Sequence, residues 1–208
     1  MHAHEDSGRH EEKPIVVFVG RSNVGKSSII RALTGKRVRV GKRAGSTRWM
    51  FPLDMGTTSF VDLPGFGYMA GRSKTDIEKT KTAIVRFLEE QEERIALGIL
   101  VLDASLFKEI VERWEKRGEI PIDIEFYSFL DEIAPEVIVV ANKIDKVKGR
   151  DIEATVQYIA SRLYEAVPHR TLQLVTTSAT KKLGIKELRY RINRSLALEG
   201  IRPPNWPE

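Results

Sequence analysis

The 208-residue chain has no cysteine, which rules out disulfides and thiolate metal sites and fits an intracellular protein. It also lacks an apolar run long enough to cross a bilayer. Its first thirteen residues are polar and histidine-rich, not a charged stub followed by an apolar core, so they do not read as a signal peptide. A cytoplasmic protein without membrane contact is expected. Carboxylates are missing from one particular place. Thr34 to Arg48 carries Lys36, Arg37, Arg39, Lys42, Arg43 and Arg48 with no acidic residue among them. Gly35, Gly41 and Gly45 in the same stretch argue against regular structure, so a mobile basic loop is the reading, with an ordinary solvated loop as the alternative.

The formal net charge is +5 and the pI near 9.4, a mild excess that permits binding to RNA, DNA or anionic surfaces without requiring any of them. With 41% hydrophobic and 30% charged residues, the composition suits one globular domain with a sizeable core. We expect a solvated polar arm over residues 1–13, a single domain over 14–198, and a proline-rich tail over 199–208 that cannot be helical.

The most informative stretch is Gly20-Arg21-Ser22-Asn23-Val24-Gly25-Lys26-Ser27-Ser28, which fits the phosphate-loop pattern G-x-x-x-x-G-K-[ST]. An apolar run, Ile15 to Val19, precedes it and an amphipathic segment, Ser28 to Leu33, follows, giving the strand, loop and helix that the motif needs. In that arrangement glycines let successive N–H groups point inward, and the helix adds the positive end of its dipole, so a polyphosphate fits the concavity. Lys26 would reach the β and γ phosphates, and the Ser27 hydroxyl would hold a magnesium ion.

Further along, Trp49 to Asp54 and Thr58 to Asp62 flank Met55-Gly56-Thr57 as a β-hairpin would. The second run ends in Asp62-Leu63-Pro64-Gly65, where a strand-end carboxylate can hold magnesium through water and a free glycine N–H can sense the γ phosphate. Lys74 to Glu93 carries a helical stripe, and Ile95 to Asp103 is a continuous apolar run expected for a strand buried on both sides. Phe107 to Arg117 reads as a helix and Ile122 to Ile133 as a second short one, in which we find no chemistry. Val137 to Ala141 is another buried strand, delivering Asn142-Lys143-Ile144-Asp145. Ile152 to Tyr164 is helical, and Thr171 to Thr177 is the last strand, ending in Ser178-Ala179-Thr180. Leu183 to Leu198 closes the chain as a basic amphipathic helix. Strands alternating with helices predict an α/β, three-layer arrangement, a mostly parallel central sheet with helices on both faces and the site on loops at the strands' carboxyl ends.

These motifs, in this order, resemble those of the translation-factor-like P-loop GTPases, which implies that three-layer P-loop GTPase fold. The carboxylate of Asp145 can accept from guanine N1–H and N2–H₂ together, and adenine offers neither donor there. The resemblance further implies that Asn142 and the Ala179 N–H address the O6 edge of the base, that the Lys143 stem lies along its plane, and that Thr47 ligates magnesium while GTP is bound. Within that group, Gly20 to Ser28, joined to Gly45-Ser46-Thr47-Arg48 and to Asp62-Leu63-Pro64-Gly65-Phe66-Gly67-Tyr68, looks like the EngB (YihA-like) family of ribosome-biogenesis GTPases. The resemblance covers about residues 14–196 and departs from the family in two places: Asn142, where many members carry Thr, and a longer segment from Phe107 to Ile133.

The implied function is a nucleotide switch in ribosome assembly, linked to cell division and septation. GTP or GDP, with magnesium, would occupy the site, and the Lys36 to Arg48 loop would meet ribosomal RNA or a pre-ribosomal particle. The implied catalytic groups are Lys26, Thr47 and Gly65, and a monomer is expected. Where many GTPases place a water-orienting glutamine, this chain has Phe66, so intrinsic hydrolysis should be slow and its missing element supplied from outside. Potassium held by Asn23 is one candidate. A non-hydrolysing guanine-nucleotide-binding module acting through protein contacts is the alternative.

Overall fold

Three segments of the chain, Ile15–Val19, Ile95–Asp103 and Val137–Asn142, are apolar at nearly every position, as suits strands covered on both faces, and such strands require helices above and below. The structure is a computed structural model and describes residues 13–36, 52–67 and 73–207. It contains β1 (Ile15–Val19), α1 (Lys26–Thr34), β2 (Leu53–Asp54), β3 (Ser59–Asp62), α2 (Lys74–Glu90), β4 (Ile95–Asp103), α3 (Phe107–Glu115) and α4 (Ile122–Ile133). β5 (Val137–Asn142), α5 (Ile152–Ala166), β6 (Gln173–Thr176) and α6 (Ile185–Leu198) follow. The sheet order is β2-β3-β1-β4-β5-β6, parallel throughout except for β2, which runs antiparallel to β3.

The pleat divides the core into two layers. On one face Val16, Phe18, Leu97 and Ile99 meet Ile29 and Leu33 of α1 and Leu188 and Ile192 of α6. On the other, Val17, Val19, Leu100 and Val139 meet Ile84 of α2, Val111 of α3, Leu130 of α4 and Ile159 of α5. At Gly98 of β4 a Cβ would lie 3.3 Å from the Leu130 side chain, so the glycine lets α4 sit close against the sheet. α2 is opened by a reciprocal cap in which Ser73 accepts from the Asp76 N–H and the Asp76 carboxylate accepts from the Ser73 N–H.

The first strand of the hairpin is shorter than the alternation suggests, with only Leu53 and Asp54 paired; positions 49–51 lie outside the described residues. Most of the polar arm, and the basic loop from position 37 onward, lie outside them as well. Residues 199–207, set apart above as a tail, are non-helical and pack onto the domain. The Asn205 N–H donates to the Met55 carbonyl at 2.8 Å, and Trp206 Nε1 donates to Asn193 Oδ1 at 2.8 Å. The Trp206 ring meets Phe60 edge-on at 5.7 Å, while the Arg189 guanidinium lies 5.4 Å from its centroid.

Gly200 (φ 69) ends α6, with the Ile201 N–H returning to the Leu196 carbonyl, and the aromatic contacts fasten the chain beyond it. Trp206→Ala should therefore destabilise the whole domain by about 2 kcal/mol, measured as a lowered urea midpoint with an unchanged slope. An unaltered midpoint would mean that the tail contributes nothing to the fold.

Candidate nucleotide site

Backbone conformation at the end of β1 is set by residues that tolerate positive φ. Gly20 (φ 152), Asn23 (φ 67) and Gly25 (φ 101) let the chain turn sharply into α1. The Gly25 position is crowded as well as left-handed, since a Cβ there would fall 2.5 Å from Asn142 Nδ2. The carbonyls of this loop are held by side chains. Lys26 Nζ donates to the Gly20 and Arg21 carbonyls at 2.8 and 3.1 Å, Lys143 Nζ to that of Asn23, and Asn142 Nδ2 to that of Val24 at 2.8 Å. A peptide's N–H points away from its carbonyl. Among the described residues, the N–H groups of Asn23, Val24 and Gly25 donate to no partner. The loop is thus a row of free donors at the N-terminus of a helix, a place suited to an anion.

Lys26 is buried, and burial lowers its pKa from 10.5 to about 8, against the opposing pull of Asp62 and Asp123. Next to it, the Ser27 hydroxyl donates to Asp62 Oδ2 at the end of β3. Burial raises the Asp62 carboxyl above its ordinary value, although the Ser27 hydrogen bond and Lys26 both oppose the shift. A hydroxyl and a carboxylate oxygen side by side are ligands of the kind that magnesium takes.

At the far end, Asn142, Lys143, Asp145, Ala179 and Thr180 line the same cleft as Asn23, Gly25, Lys26, Ser27 and Ser28, a space of about 400 Å³. The residues expected to meet the phosphates and the base are therefore brought together. Asn142 spends its polar atoms on the protein: besides the Val24 carbonyl, its Oδ1 accepts from the Ala179 N–H at 3.1 Å and from Thr177 Oγ1 at 3.2 Å. The two groups expected at the O6 edge are thus bonded to each other. Lys143 Nζ also reaches Asp103 Oδ2 at 2.6 Å. Ser178 is buried, and its Oγ accepts from the Lys181 N–H at 3.1 Å, fixing the turn that carries Ala179. Leu63 is core and does not line the cleft. Gly45, Ser46 and Thr47 lie outside the described residues.

Gly65 and Phe66 lie against the phosphate loop. The Ser22 N–H donates to the Phe66 carbonyl at 2.9 Å, and Ser22 Oγ to the Gly65 carbonyl at 3.1 Å. A Cβ on Gly65 would meet Ser22 Cα at 2.5 Å, so only glycine fits there. The Phe66 side chain is buried and stacks on Phe126 of α4, with centroids 4.3 Å apart and planes 7° from parallel.

Sequence reasoning passed over α4 as empty of chemistry, and the structure corrects that. Asp123, on its first turn, is buried and pairs with Arg21 of the phosphate loop at 3.2 Å. Burial raises its carboxyl, and the Arg21 guanidinium opposes that shift. The available signal was an acid between Ile122 and Ile124 at a helix start. Asp103 was missed too, and there the signal was a carboxylate closing a wholly apolar strand.

A family model described as 50S ribosome-binding GTPase matches residues 15–143 of this chain. The chain is 51% identical over 201 residues to the GTP-binding protein EngB of Methanopyrus kandleri, a match spanning 94% of this chain and 96% of the other. A solved structure of a GTP-binding protein EngB matches it with a TM-score of 0.75 at 36% identity, over 88% of this chain and 99% of that one. Era, solved with MgGDPNP and a segment of 16S ribosomal RNA, matches with a TM-score of 0.60 at 26% identity, over 96% of this chain and 58% of Era.

The low pKa of Lys26 makes a pH prediction. In the empty site the ammonium loses its proton near pH 8, whereas a bound polyphosphate favours the charged form and raises that value. Binding then takes up a proton above pH 8 and is favoured by lower pH. Affinity for GDP should be flat below that point and fall by up to about tenfold per pH unit above it. Titration calorimetry in buffers of different ionisation enthalpy would read the proton uptake directly, and a flat affinity up to about pH 9.5 would contradict the assignment.

Proposed function

The chain belongs to the EngB family of GTP-binding proteins, and on that premise we propose that it is a magnesium-dependent GTPase whose nucleotide state gates its docking on ribosomal RNA during ribosome assembly, with a consequence for cell division. The observation that carries this reading is one cleft lined at one end by Lys26 and Ser27 and at the other by Asp145 and Ala179. Its length joins a cradle of free N–H donors to a carboxylate, which suits a nucleoside polyphosphate lying between them.

In this reading the loop N–H groups and Lys26 hold the phosphates and stabilise charge that develops on them. Asp145 accepts from guanine N1–H and N2–H₂, and Asn142 keeps the phosphate loop and the Ala179 turn in register, so the base meets a preset pocket. Ser27, Thr47 and, through water, Asp62 would hold magnesium; the hydroxyl and carboxylate of Ser27 and Asp62 already lie in contact. Bound there, the metal would neutralise charge between the β and γ phosphates. The Gly65 N–H would meet the γ phosphate, which couples its presence to the segment held by Ser22.

Phe66 turns into the core, so that position carries no side chain able to orient a water. This supports slow intrinsic hydrolysis completed from outside, by a partner or by potassium. Asn23 lines the cleft, and among the described residues its side chain has no partner, which supports it as the potassium ligand. The rival reading, a guanine-nucleotide-binding module that leaves GTP intact, draws on the same buried Phe66. Era's solved complex with MgGDPNP and 16S ribosomal RNA supports magnesium and RNA by likeness.

Asp145→Ala should weaken GTP binding by about a hundredfold through two lost charged hydrogen bonds, with ATP remaining a poor competitor. Single-turnover hydrolysis in potassium should exceed that in sodium severalfold; equal rates would defeat the potassium assignment, and intact GTP in both salts would favour the non-hydrolysing module. Tagged protein loaded with a non-hydrolysable GTP analogue should bring down pre-ribosomal particles that the GDP form does not. Recovery independent of nucleotide would count against gating.

A further inference from the structure

Two charges are buried together beside the phosphate loop, and stability does not account for them. The side chain of Asp123 is 2% exposed and that of Arg21 14%, with Arg21 Nη1 3.2 Å from Asp123 Oδ2. Among the described residues that carboxylate is the guanidinium's polar partner. Desolvating such a pair offsets most of its attraction, and apolar residues of similar size often serve a fold as well or better. Nor does the phosphate cradle need the Arg21 side chain, because its carbonyls are held by Lys26, Lys143 and Asn142.

What the guanidinium does touch is the segment that follows β3. A Cβ on Gly67 (φ 83) would fall 2.9 Å from Cζ and from Nη2 of Arg21 and 3.2 Å from its Nε. A point as close to the central carbon as to the nitrogens lies over the plane of the group, so Gly67 rests on its flat face. One residue earlier, Phe66 pairs by its backbone with Arg21 and by its ring with Phe126. One earlier still, the Gly65 carbonyl accepts from Ser22 Oγ, whereas the Gly65 N–H has no partner among the described residues. Three successive residues are thus held in place, with one donor left over. The post that holds them is itself anchored: Ile122 and Ile124 at the start of α4 are buried, and Glu125 accepts from Lys81 of α2 at 2.7 Å.

We propose that Asp123 is a positioning residue for the response to GTP: acting through Arg21, it keeps Gly65 to Gly67 seated on the phosphate loop, so that the Gly65 N–H is in place before a γ phosphate arrives. The inference rests on the GTPase reading above and adds a residue on which discrimination between GTP and GDP depends. A donor ordered beforehand loses none of its binding energy to ordering. GDP has no group for that donor, so the seat strengthens binding of the triphosphate alone, a coupling that is typically worth a factor of about ten.

The test uses the full chain with magnesium, titrated in parallel with fluorescent GDP and a fluorescent non-hydrolysable GTP analogue, and the urea midpoint of each variant. The quantity read is the ratio of the two affinities, because lost stability or a general distortion of the cleft moves both alike. Asp123→Asn keeps the size of the side chain and one acceptor for Arg21. It should shift the ratio about tenfold toward GDP and slow single-turnover hydrolysis at saturating GTP by a similar factor. Asparagine leaves Arg21 buried without a counter-charge, which destabilises the fold. Arg21→Met with Asp123→Leu removes both charges, should keep or raise the parent's urea midpoint, and should show the same shift in the ratio.

An unchanged ratio in that apolar pair, with the protein folded, would overturn this inference, and so would affinities for the two nucleotides that fall in step. In both cases binding and hydrolysis of GTP by the parent would leave the GTPase reading standing. A parent protein that binds neither nucleotide would overturn both.

Discussion

The phosphate loop works as a cradle because side chains take up its carbonyls. An unsupported run of backbone would turn its polar groups toward whatever satisfied them, including one another. Here Lys26, Lys143 and Asn142 take the carbonyls of Gly20, Arg21, Asn23 and Val24. The N–H groups of Asn23, Val24 and Gly25 are left without a partner among the described residues. Asn142 links three things in one side chain: the end of β5, the loop after β1 and the turn after β6. Losing it would release the base end and the phosphate end of the cleft together.

The same loop is also joined to the part of the chain that would report the γ phosphate. Ser22 holds Gly65 and Phe66 by two hydrogen bonds, while Phe66 and Arg21 both reach α4, through Phe126 and Asp123. A buried Arg–Asp pair is poor evidence of stability, because desolvating two charges can cost as much as their attraction returns. Its geometry matters more. With Asp123 on the first turn of α4 and Phe126 one turn later, a shift of Gly65 and Phe66 would press on the helix that also anchors Arg21. The stack adds about 1 kcal/mol of orientation-dependent attraction, enough to favour one arrangement without locking it.

Much of this was legible in the sequence because the signals are local. The strands from Ile15, Ile95 and Val137 declare themselves as unbroken apolar runs, and the phosphate loop and the Asn142 to Asp145 segment as fixed spacings between them. What stayed hidden depends on contacts between distant parts of the chain. Asp123 looks like any acid at a helix start until α4 is seen close against Gly98, with Arg21 within reach across 102 positions of sequence. Trp206 looks like one residue of a loose proline-rich end until Phe60 and Arg189 are found beside it. Asn142 was recognised as a site residue, but its partners were not, because spacing specifies which residues meet and not which atoms they spend on one another.

The two faces of the sheet are fastened differently. Gly65, Phe66, Phe126 and Arg21 are joined toward the face of α2 to α5. The opposite face is fastened: Arg189 ties α6 to the end of α1, and Asn205 and Trp206 tie the chain's end to the hairpin and to α6. A partner held on a mobile helix would lose part of its binding energy to ordering that helix. On α6 that ordering is already done by the fold.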